Sequence, residues 1–170
     1  MLKHRLLLVD DSEFIIKALK RVMRDEGYEI FSANSAKEAL EILSTKEIDL
    51  IISDQNMPEV SGTELFKLVK IKYPQIIRIM LTGVTDFDVI KDAINKGEIY
   101  RYFNKPFDDF ELMISVRYAL RQKELELENQ SLKEKLEAKE NYLKQLEMEY
   151  PGITQKKVAS DGAIIIDGNN

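Results

Sequence analysis

The fold is decided by residues 48–62, which read Ile-Asp-Leu-Ile-Ile-Ser-Asp-Gln-Asn-Met-Pro-Glu-Val-Ser-Gly. The run Leu50–Ile52 is apolar without interruption, which is typical of a strand buried on both faces of a parallel sheet. Ligands of such sheets bind beyond the carboxyl ends of the strands, where Asp54 lies. Met57-Pro58 favours a turning backbone, and Gly62 fits a tight turn before a helix. An aspartate here also caps turns, so Asp54 alone does not decide between a site and a cap.

The chain on either side alternates apolar strands with amphipathic helices. The predicted strands are Leu6–Val9, Tyr28–Ser32, the run that ends at Asp54, Ile76–Leu81 and Ile99–Phe103. The predicted helices begin near Ser12, Ser35, Gly62, Asp86 and Asp109. Ser12 is expected to cap the first helix, Gly27 to end it, and Ser35 to form a capping box with Glu38. Five strands alternating with five helices indicate a doubly wound α/β domain.

Polar side chains follow four of these strands. Asp10 and Asp11 end the first, Asp54 the third, Thr82 the fourth, and Lys105 follows the fifth. Because a parallel sheet gathers the carboxyl ends of its strands at one edge, these groups are expected to meet. Two adjacent carboxylates repel each other unless they share a cation.

Composition excludes several classes of function. The net charge of −5 argues against a broad nucleic-acid-binding surface. The absence of cysteine excludes disulfides and thiol chemistry, and the single histidine, His4, cannot form a metal cluster by itself. No apolar run reaches the length of a membrane span or a secretory signal, so a cytoplasmic protein is expected.

Four motifs together resemble the receiver domain of two-component response regulators. They are Val9-Asp10-Asp11, Ser53-Asp54 with Met57-Pro58 and Gly62, Leu81-Thr82-Gly83, and Asn104-Lys105-Pro106. The resemblance covers roughly residues 3–122 and implies a flavodoxin-like, five-stranded parallel sheet in the order 2-1-3-4-5. It also places the site where strands 1 and 3 lie side by side.

The resemblance implies a role for each residue at the strand ends. Asp54 would be the nucleophile that forms an aspartyl-phosphate. Mg²⁺ would be held by Asp11, Asp54 and the backbone carbonyl of Asn56, with Asp10 acting through a metal-bound water. The phosphoryl oxygens would be bound by Lys105 and by the Thr82 hydroxyl. The resemblance makes Tyr102 the switch aromatic, whose ring turns inward once Thr82 moves.

Structural interpretations of the same residues remain open. Lys105 could be only a buried counter-ion, Thr82 only a hydrogen-bonding residue at a strand end, and Tyr102 only a packed aromatic side chain. Asn56 and Val84 occupy positions that vary in this family. Because Val84 has no polar group to orient a hydrolytic water, the phosphoryl group is expected to live longer than with Glu or Asn there.

Residues 109–149 contain neither proline nor glycine, which predicts that the last helix of the domain continues far along the chain. Its first part should pack on the sheet through Leu112, Val116, Ala119 and Leu120. A heptad pattern follows, with a positions at Gln122, Asn129, Leu136, Leu143 and Tyr150, and d positions at Leu125, Leu132, Lys139 and Leu146.

The flanking charges favour a parallel pair of such helices. Each g residue would face an oppositely charged e residue of the partner, in the pairs Arg121–Glu126, Glu128–Lys133 and Lys135–Glu140. A parallel homodimer is therefore expected, although a single solvated helix with internal Glu–Lys pairs is the alternative. The predicted organisation is a receiver domain over 1–122, a coiled-coil helix over 123–150, and a tail over 151–170. Asp161-Gly162 between apolar runs predicts that the tail forms a hairpin.

The primary hypothesis is a response regulator that is phosphorylated on Asp54 by a histidine kinase or phosphotransfer protein. Such a domain catalyses its own phosphorylation and slow dephosphorylation but is not a metabolic enzyme. The sequence shows no basic recognition helix for DNA, no phosphate-binding loop and no zinc motif. The alternatives are a dimeric scaffold without phosphorylation, a metal-dependent phosphohydrolase, and the regulatory front part of a longer protein.

Overall fold

Strands and helices alternate along the chain, as the hydrophobic pattern predicted. The structure, a computed structural model, describes residues 4–83 and 87–153. The strands in these ranges are β1 (Arg5–Val9), β2 (Glu29–Ala33), β3 (Leu50–Asp54), β4 (Ile77–Thr82) and β5 (Arg101–Asn104). The α-helices are α1 (Glu13–Val22), α2 (Ala36–Thr45), α3 (Gly62–Lys72), α4 (Phe87–Asn95) and α5 (Asp109–Glu149).

The strands form one parallel sheet in the order β2-β1-β3-β4-β5, which confirms the predicted order. β3 lies at its centre, and all five of its residues are buried. Val9 pairs with Ser53, and Asp54 pairs with Leu81, so the carboxyl ends of β1, β3 and β4 meet at one edge.

Each face of the sheet carries its own apolar core, because successive strand residues point to opposite faces. On one face, Leu7 and Ile51 pack with residues of α2, α3 and α4. On the other, Leu8 and Ile52 pack with α1 and the first part of α5. The predicted α5 contacts are confirmed: Leu112, Val116, Ala119 and Leu120 are all buried.

Three helix ends differ from the predictions. The Ser12 side chain makes no capping hydrogen bond, and the Ser12 backbone N–H donates to the Asp10 carboxylate at 2.9 Å. α1 ends at Val22, before Gly27, because the chain tightens into a 3-10 turn over Arg24–Glu26. Ser35 caps α2 as predicted, but Glu38 accepts from the Asn34 N–H and does not complete the box.

A complete capping box lies at α3. The Ser61 hydroxyl accepts the Glu64 N–H, and the Glu64 carboxylate accepts the Ser61 N–H. This arrangement satisfies two amides that the first turn of the helix would otherwise leave unpaired. It also fixes the start of α3 immediately after the loop that leaves Asp54.

Ion pairs hold the sheet-packed part of α5. Arg117 binds Glu26 through two contacts of 2.5 Å, and Lys123 Nζ lies 2.9 Å from Asp49 Oδ1. Asp49 immediately precedes β3, and its other oxygen accepts the Arg5 N–H at 3.0 Å. Burial works to raise the pKa of Asp49, but these bonds and the Lys123 charge outweigh it and lower the pKa overall.

The chain divides into two compact units, Met1–Lys123 and Glu124–Asn170. The second contains the remainder of α5, which ends at Glu149 and is followed by a turn in which the Gly152 N–H donates to Glu147. The hairpin predicted around Asp161-Gly162 lies outside the described residues. In the described ranges, no helix combines the length and the apolar character that crossing a bilayer requires.

Candidate functional site

Three carboxylates meet at the carboxyl ends of β1 and β3. One oxygen from each of Asp10, Asp11 and Asp54 lies within 4.8 Å of the other two. Asp10 and Asp54 are 0% and 5% exposed, whereas Asp11 is open to solvent. Two buried acids and one exposed acid therefore form a cluster that is reachable from outside.

Lys105 enters this cluster from the loop after β5. Its ammonium lies 2.8 Å from Asp10 Oδ2 and 2.8 Å from Asp54 Oδ1. The Lys105 N–H also donates to the Thr82 carbonyl at 2.8 Å, which ties the end of β4 to the lysine. Three ionised carboxylates against one ammonium leave a formal excess of two negative charges.

Burial and charge shift the pKa values of this cluster. Burial is the largest effect on the pKa of Asp54 and raises it; the hydrogen bond and the charge of Lys105 lower it, but burial together with the like charge of Asp10 leaves it raised overall. Burial works to lower the pKa of Lys105, but hydrogen bonds to Asp10 and Asp54 raise it overall. Lys105 is therefore a cation at neutral pH, and the cluster retains a demand for more positive charge.

Backbone amides fix the two buried carboxylates. Asp10 Oδ1 accepts the Ser12 N–H at 2.9 Å, and Asp54 Oδ2 accepts the Asn56 N–H at 3.1 Å. Each acid thus holds one oxygen on a backbone amide and the other on Lys105. Each carboxylate oxygen has two acceptor directions, so both acids retain capacity for a further ligand.

Thr82 and Tyr102 lie on the two strands beside the cluster. Thr82 is 2% exposed, ends β4, and donates its hydroxyl to the Gly83 carbonyl at 3.1 Å. Tyr102 is half-buried in β5 and lines a cavity of about 100 Å³ together with Ile90 and Ile94 of α4. The sheet thus brings Thr82 to the predicted edge and places Tyr102 against α4.

Two buried polar residues of this region were not predicted. Gln55 follows Asp54, Thr63 lies in the first turn of α3, and each is 6% exposed. Little in the sequence indicates that these two side chains form a pair. The only hints are that Gln55 continues a buried strand and that Thr63 follows Gly62 at the start of a helix. Val84, the predicted determinant of phosphoryl lifetime, lies outside the described residues.

The cluster fits a hard divalent cation. All its donors are oxygens, and two carboxylates are held in place by backbone amides. Mg²⁺ takes carboxylate and carbonyl oxygens together with water, and the exposed side of the cluster admits water. The residues present therefore suit Mg²⁺ by charge and by donor type.

Residues 6–117 match the family model described as the response regulator receiver domain. Sporulation initiation phosphotransferase F of Bacillus subtilis is 32% identical over 117 residues, which are 69% of this chain and 94% of that protein. The hydrogenase transcriptional regulatory protein HoxA of Cupriavidus necator is 36% identical over 114 residues, which are 67% of this chain and 23% of HoxA.

Solved structures agree with this match. The signal receiver domain of an HD domain-containing protein from Pseudomonas fluorescens Pf-5 has a TM-score of 0.69 and 39% identity, covering 72% of this chain and 98% of that one. The chain spans only 23% and 29% of the length of two HoxA relatives, so those proteins contain much that this chain does not match. On its sheet order, its acidic cluster and this family match, the chain belongs to the receiver domain family of two-component response regulators.

Proposed function

We propose that this chain is a switch controlled by phosphorylation of Asp54. The observation that supports the proposal is one cluster of side chains. One carboxylate oxygen from each of Asp10, Asp11 and Asp54 lies within 4.8 Å of the other two, and the Lys105 ammonium lies 2.8 Å from Asp10 and from Asp54. Such a cluster holds a cation and presents a carboxylate beside an ammonium, which are the parts that phosphoryl transfer needs. A histidine kinase or a phosphotransfer protein is the donor in this proposal.

In the transfer, a carboxylate oxygen of Asp54 attacks the phosphorus of the donor. The new O–P bond forms as the bond to the donor nitrogen breaks, and the released imidazole takes up a proton. Lys105 leaves Asp54 Oδ1 and pairs with a phosphoryl oxygen, while Asp10 keeps the ammonium in reach. The domain thereby catalyses its own modification and slow hydrolysis, and it has no metabolic substrate.

Mg²⁺ would be held by Asp11, Asp54 and the Asn56 carbonyl, with Asp10 binding through water. The ion supplies positive charge that offsets the clustered acids and the incoming phosphoryl group. The protein contributes the fixed positions: the Asn56 N–H orients Asp54, and the Ser12 N–H orients Asp10.

Thr82 and Tyr102 carry the response in this proposal. The Thr82 hydroxyl, which donates to Gly83 in this structure, turns to the phosphoryl group. Tyr102 lines a cavity of about 100 Å³ against α4, which gives its ring room to turn inward. The altered surface of α4 and β5 then reports the state of Asp54.

Residues 123–150 form a parallel homodimer in this proposal. Four leucines at a and d positions of the heptad expose about half of their surface: Leu125 48%, Leu132 59%, Leu136 57% and Leu143 49%. Pairing two helices in parallel would bury these side chains and join oppositely charged flanks. Each flanking charge pair adds only a few tenths of a kcal/mol, so the leucines supply the stability.

A matched pair of leucines tests the dimer. Leu132 and Leu127 are 59% and 58% exposed in the same helix, but Leu132 is a d residue whereas Leu127 lies at the outer f position. Leu132→Ala should weaken dimerisation by at least about 2 kcal/mol, or about 30-fold in Kd. Leu127→Ala should leave it unchanged. Analytical ultracentrifugation measures both, and equal effects, or a wild type that is monomeric at high micromolar concentration, would reject the dimer.

The phosphorylation proposal is tested with acetyl phosphate and Mg²⁺. Intact mass should rise by one phosphoryl group, the label should be lost on treatment at alkaline pH, and Asp54→Asn should abolish it. Absence of this label would reject the switch and favour a scaffold that only binds. Steady turnover of a free phosphate ester without a labelled intermediate would indicate a phosphohydrolase.

A further inference from the structure

Gln55, which follows the proposed phosphoacceptor, has every polar group bonded to a neighbouring element. Its side-chain oxygen accepts the Thr63 N–H at 3.1 Å, and its side-chain nitrogen donates to Thr63 Oγ1 at 3.4 Å. Its backbone N–H donates to Leu81 in β4 at 2.8 Å, and its carbonyl accepts the Gly62 N–H at 3.0 Å. Gln55 therefore joins the end of β3 to both β4 and the first turn of α3.

The partner of Gln55 is itself fixed. Thr63 Oγ1 lies 3.2 Å from Ser61 Oγ, and Ser61 is the cap of α3. Both Gln55 and Thr63 are 6% exposed, so water does not compete freely for their hydrogen bonds. The two side chains, with their three polar contacts to each other and to Ser61, are here called the Gln55–Thr63 clamp.

The clamp lies directly behind the residues that the proposed chemistry uses. Asp54 and Asn56 flank Gln55 in the chain, and the Asn56 N–H is bonded to Asp54 Oδ2. Rotation of the backbone at Gln55 would move the Asp54 carboxylate and the Asn56 carbonyl together. A loop without such a clamp has polar groups that water can satisfy in many conformations.

We propose that Gln55 and Thr63 are positioning residues that hold the Asp54 carboxylate and the Asn56 carbonyl in the arrangement that binds Mg²⁺ and accepts a phosphoryl group. This inference rests on the proposed phosphorylation of Asp54, and extends it to two residues that do not touch the reacting atoms. The clamp acts through the backbone of residues 54–56. It resists the displacement that a bound cation and an added phosphoryl charge impose on this loop.

A purely structural clamp and a positioning clamp differ in what their loss changes. Loss of a structural pair lowers the free energy of unfolding but leaves the folded protein with normal chemistry. Loss of a positioning pair weakens Mg²⁺ binding and slows phosphorylation at temperatures where the variant is fully folded. Measuring the phosphorylation rate at saturating Mg²⁺ and phosphodonor separates weaker Mg²⁺ binding from slower phosphoryl transfer, because affinity no longer limits the measured rate.

The variants are Gln55→Leu, Thr63→Val and the double variant. Thr63→Ser keeps the hydroxyl and serves as the conservative rescue. Ser115→Ala is the control for loss of a buried hydroxyl contact, since Ser115 is 2% exposed and accepts from Arg101 at 2.6 Å in another part of the domain. Mg²⁺ binding to the full chain is measured by calorimetry, and phosphorylation by acetyl phosphate is followed by intact mass.

Gln55→Leu should slow phosphorylation at saturation about 10-fold and weaken Mg²⁺ binding by a similar factor, and Thr63→Val, which keeps the Thr63 N–H bond to Gln55, should reduce both by a smaller factor of about 3 to 5. The double variant should lose no more than Gln55→Leu alone, because Gln55→Leu already removes both hydrogen bonds between Gln55 and Thr63. Thr63→Ser and Ser115→Ala should stay within about twofold of wild type. Wild-type behaviour of Gln55→Leu and Thr63→Val, or an equal loss in Ser115→Ala, would overturn the inference.

Failure of the underlying function gives a different result. If wild-type protein takes no phosphoryl group on Asp54, the proposed function fails, and calorimetry alone decides the clamp. Weaker Mg²⁺ binding in Gln55→Leu and Thr63→Val then supports the clamp. Unchanged binding, or a wild type that binds no Mg²⁺, overturns it.

Discussion

Replacing Gly62 by alanine should destabilise the receiver unit, because the first residue of α3 lies against the backbone of Asp54. A Cβ atom at this position would come within 2.3 Å of the Asp54 carbonyl oxygen and 2.8 Å of Met80 Sδ. The Met80 side chain can swing away, but the Asp54 carbonyl belongs to the fully buried strand β3. Reaching even the 3.0 Å limit of real contacts requires α3 to retreat by 0.7 Å.

That retreat has two energetic consequences. Overpacking of a rigid interior costs about 1–3 kcal/mol. Displacing α3 also stretches the bond from the Gly62 N–H to the Gln55 carbonyl, now 3.0 Å long, and a buried hydrogen bond contributes about 0.5–1.5 kcal/mol. The sum is about 3 kcal/mol, which for a domain of this size lowers Tm by about 10 °C.

Thermal and urea unfolding measure this change. They are followed by circular dichroism, because the chain contains no tryptophan whose fluorescence could report unfolding. Gly83→Ala is the matched control: among the described residues, no heavy atom other than those of its chain neighbours lies within 4 Å of the Cβ position. That variant should change Tm by less than about 2 °C. A Gly62→Ala protein with wild-type Tm would refute the close packing of α3 on Asp54.

Three further predictions concern charge. Burial raises the pKa of Asp54, so the contribution of this group to stability is greatest below the ordinary aspartate pKa and is lost as pH rises through the folded pKa. Asp54→Asn should therefore raise the free energy of unfolding at pH 7 in EDTA by about 0.5–2 kcal/mol. A lower urea midpoint for this variant would contradict the prediction. Lys105→Met should lower the free energy of unfolding by about 2–3 kcal/mol in the same buffer, because it leaves Asp10 and Asp54 facing each other without a counter-ion. Added Mg²⁺ should restore much of the lost Tm in thermal scans. The pKa of Asp49 is lowered, so its contribution is present above the ordinary aspartate pKa and lost on acidification; Asp49→Asn should be less stable than wild type at neutral pH, with the urea midpoints converging as pH falls below the ordinary aspartate pKa, and a constant difference would count against the pair with Lys123.

The fold and the meeting of the strand-end side chains were predictable for one physical reason. The apolar runs of β1, β3 and β4 are followed by polar residues, so a parallel sheet brings Asp10, Asp54 and Thr82 to one edge. No knowledge of individual tertiary contacts is needed to predict this. Lys105 follows the same rule through the loop after β5. The predicted sheet order and the burial of the first part of α5 are confirmed by the structure.

Other features depend on contacts that have no local signature. Arg117 and Glu26 are 91 positions apart, and the 3-10 turn that carries Glu26 ends α1 earlier than Gly27 suggested. Gln55 and Thr63 look like ordinary polar residues in the sequence, and only their mutual burial shows that they form a pair. In each case a tertiary partner overrides a local preference.

The ion pair between Asp49 and Lys123 gives β3 a mechanical property. The Asp49 carboxylate, just before the first residue of β3, is bound to Lys123 of α5, and Asp54 is the last residue of the strand. These two points are separated by five residues of extended chain, or about 17 Å. Because β3 is fully buried and paired with a strand on each side, a displacement of Asp54 along the strand would be transmitted to the ion pair between Asp49 and Lys123 at the opposite end.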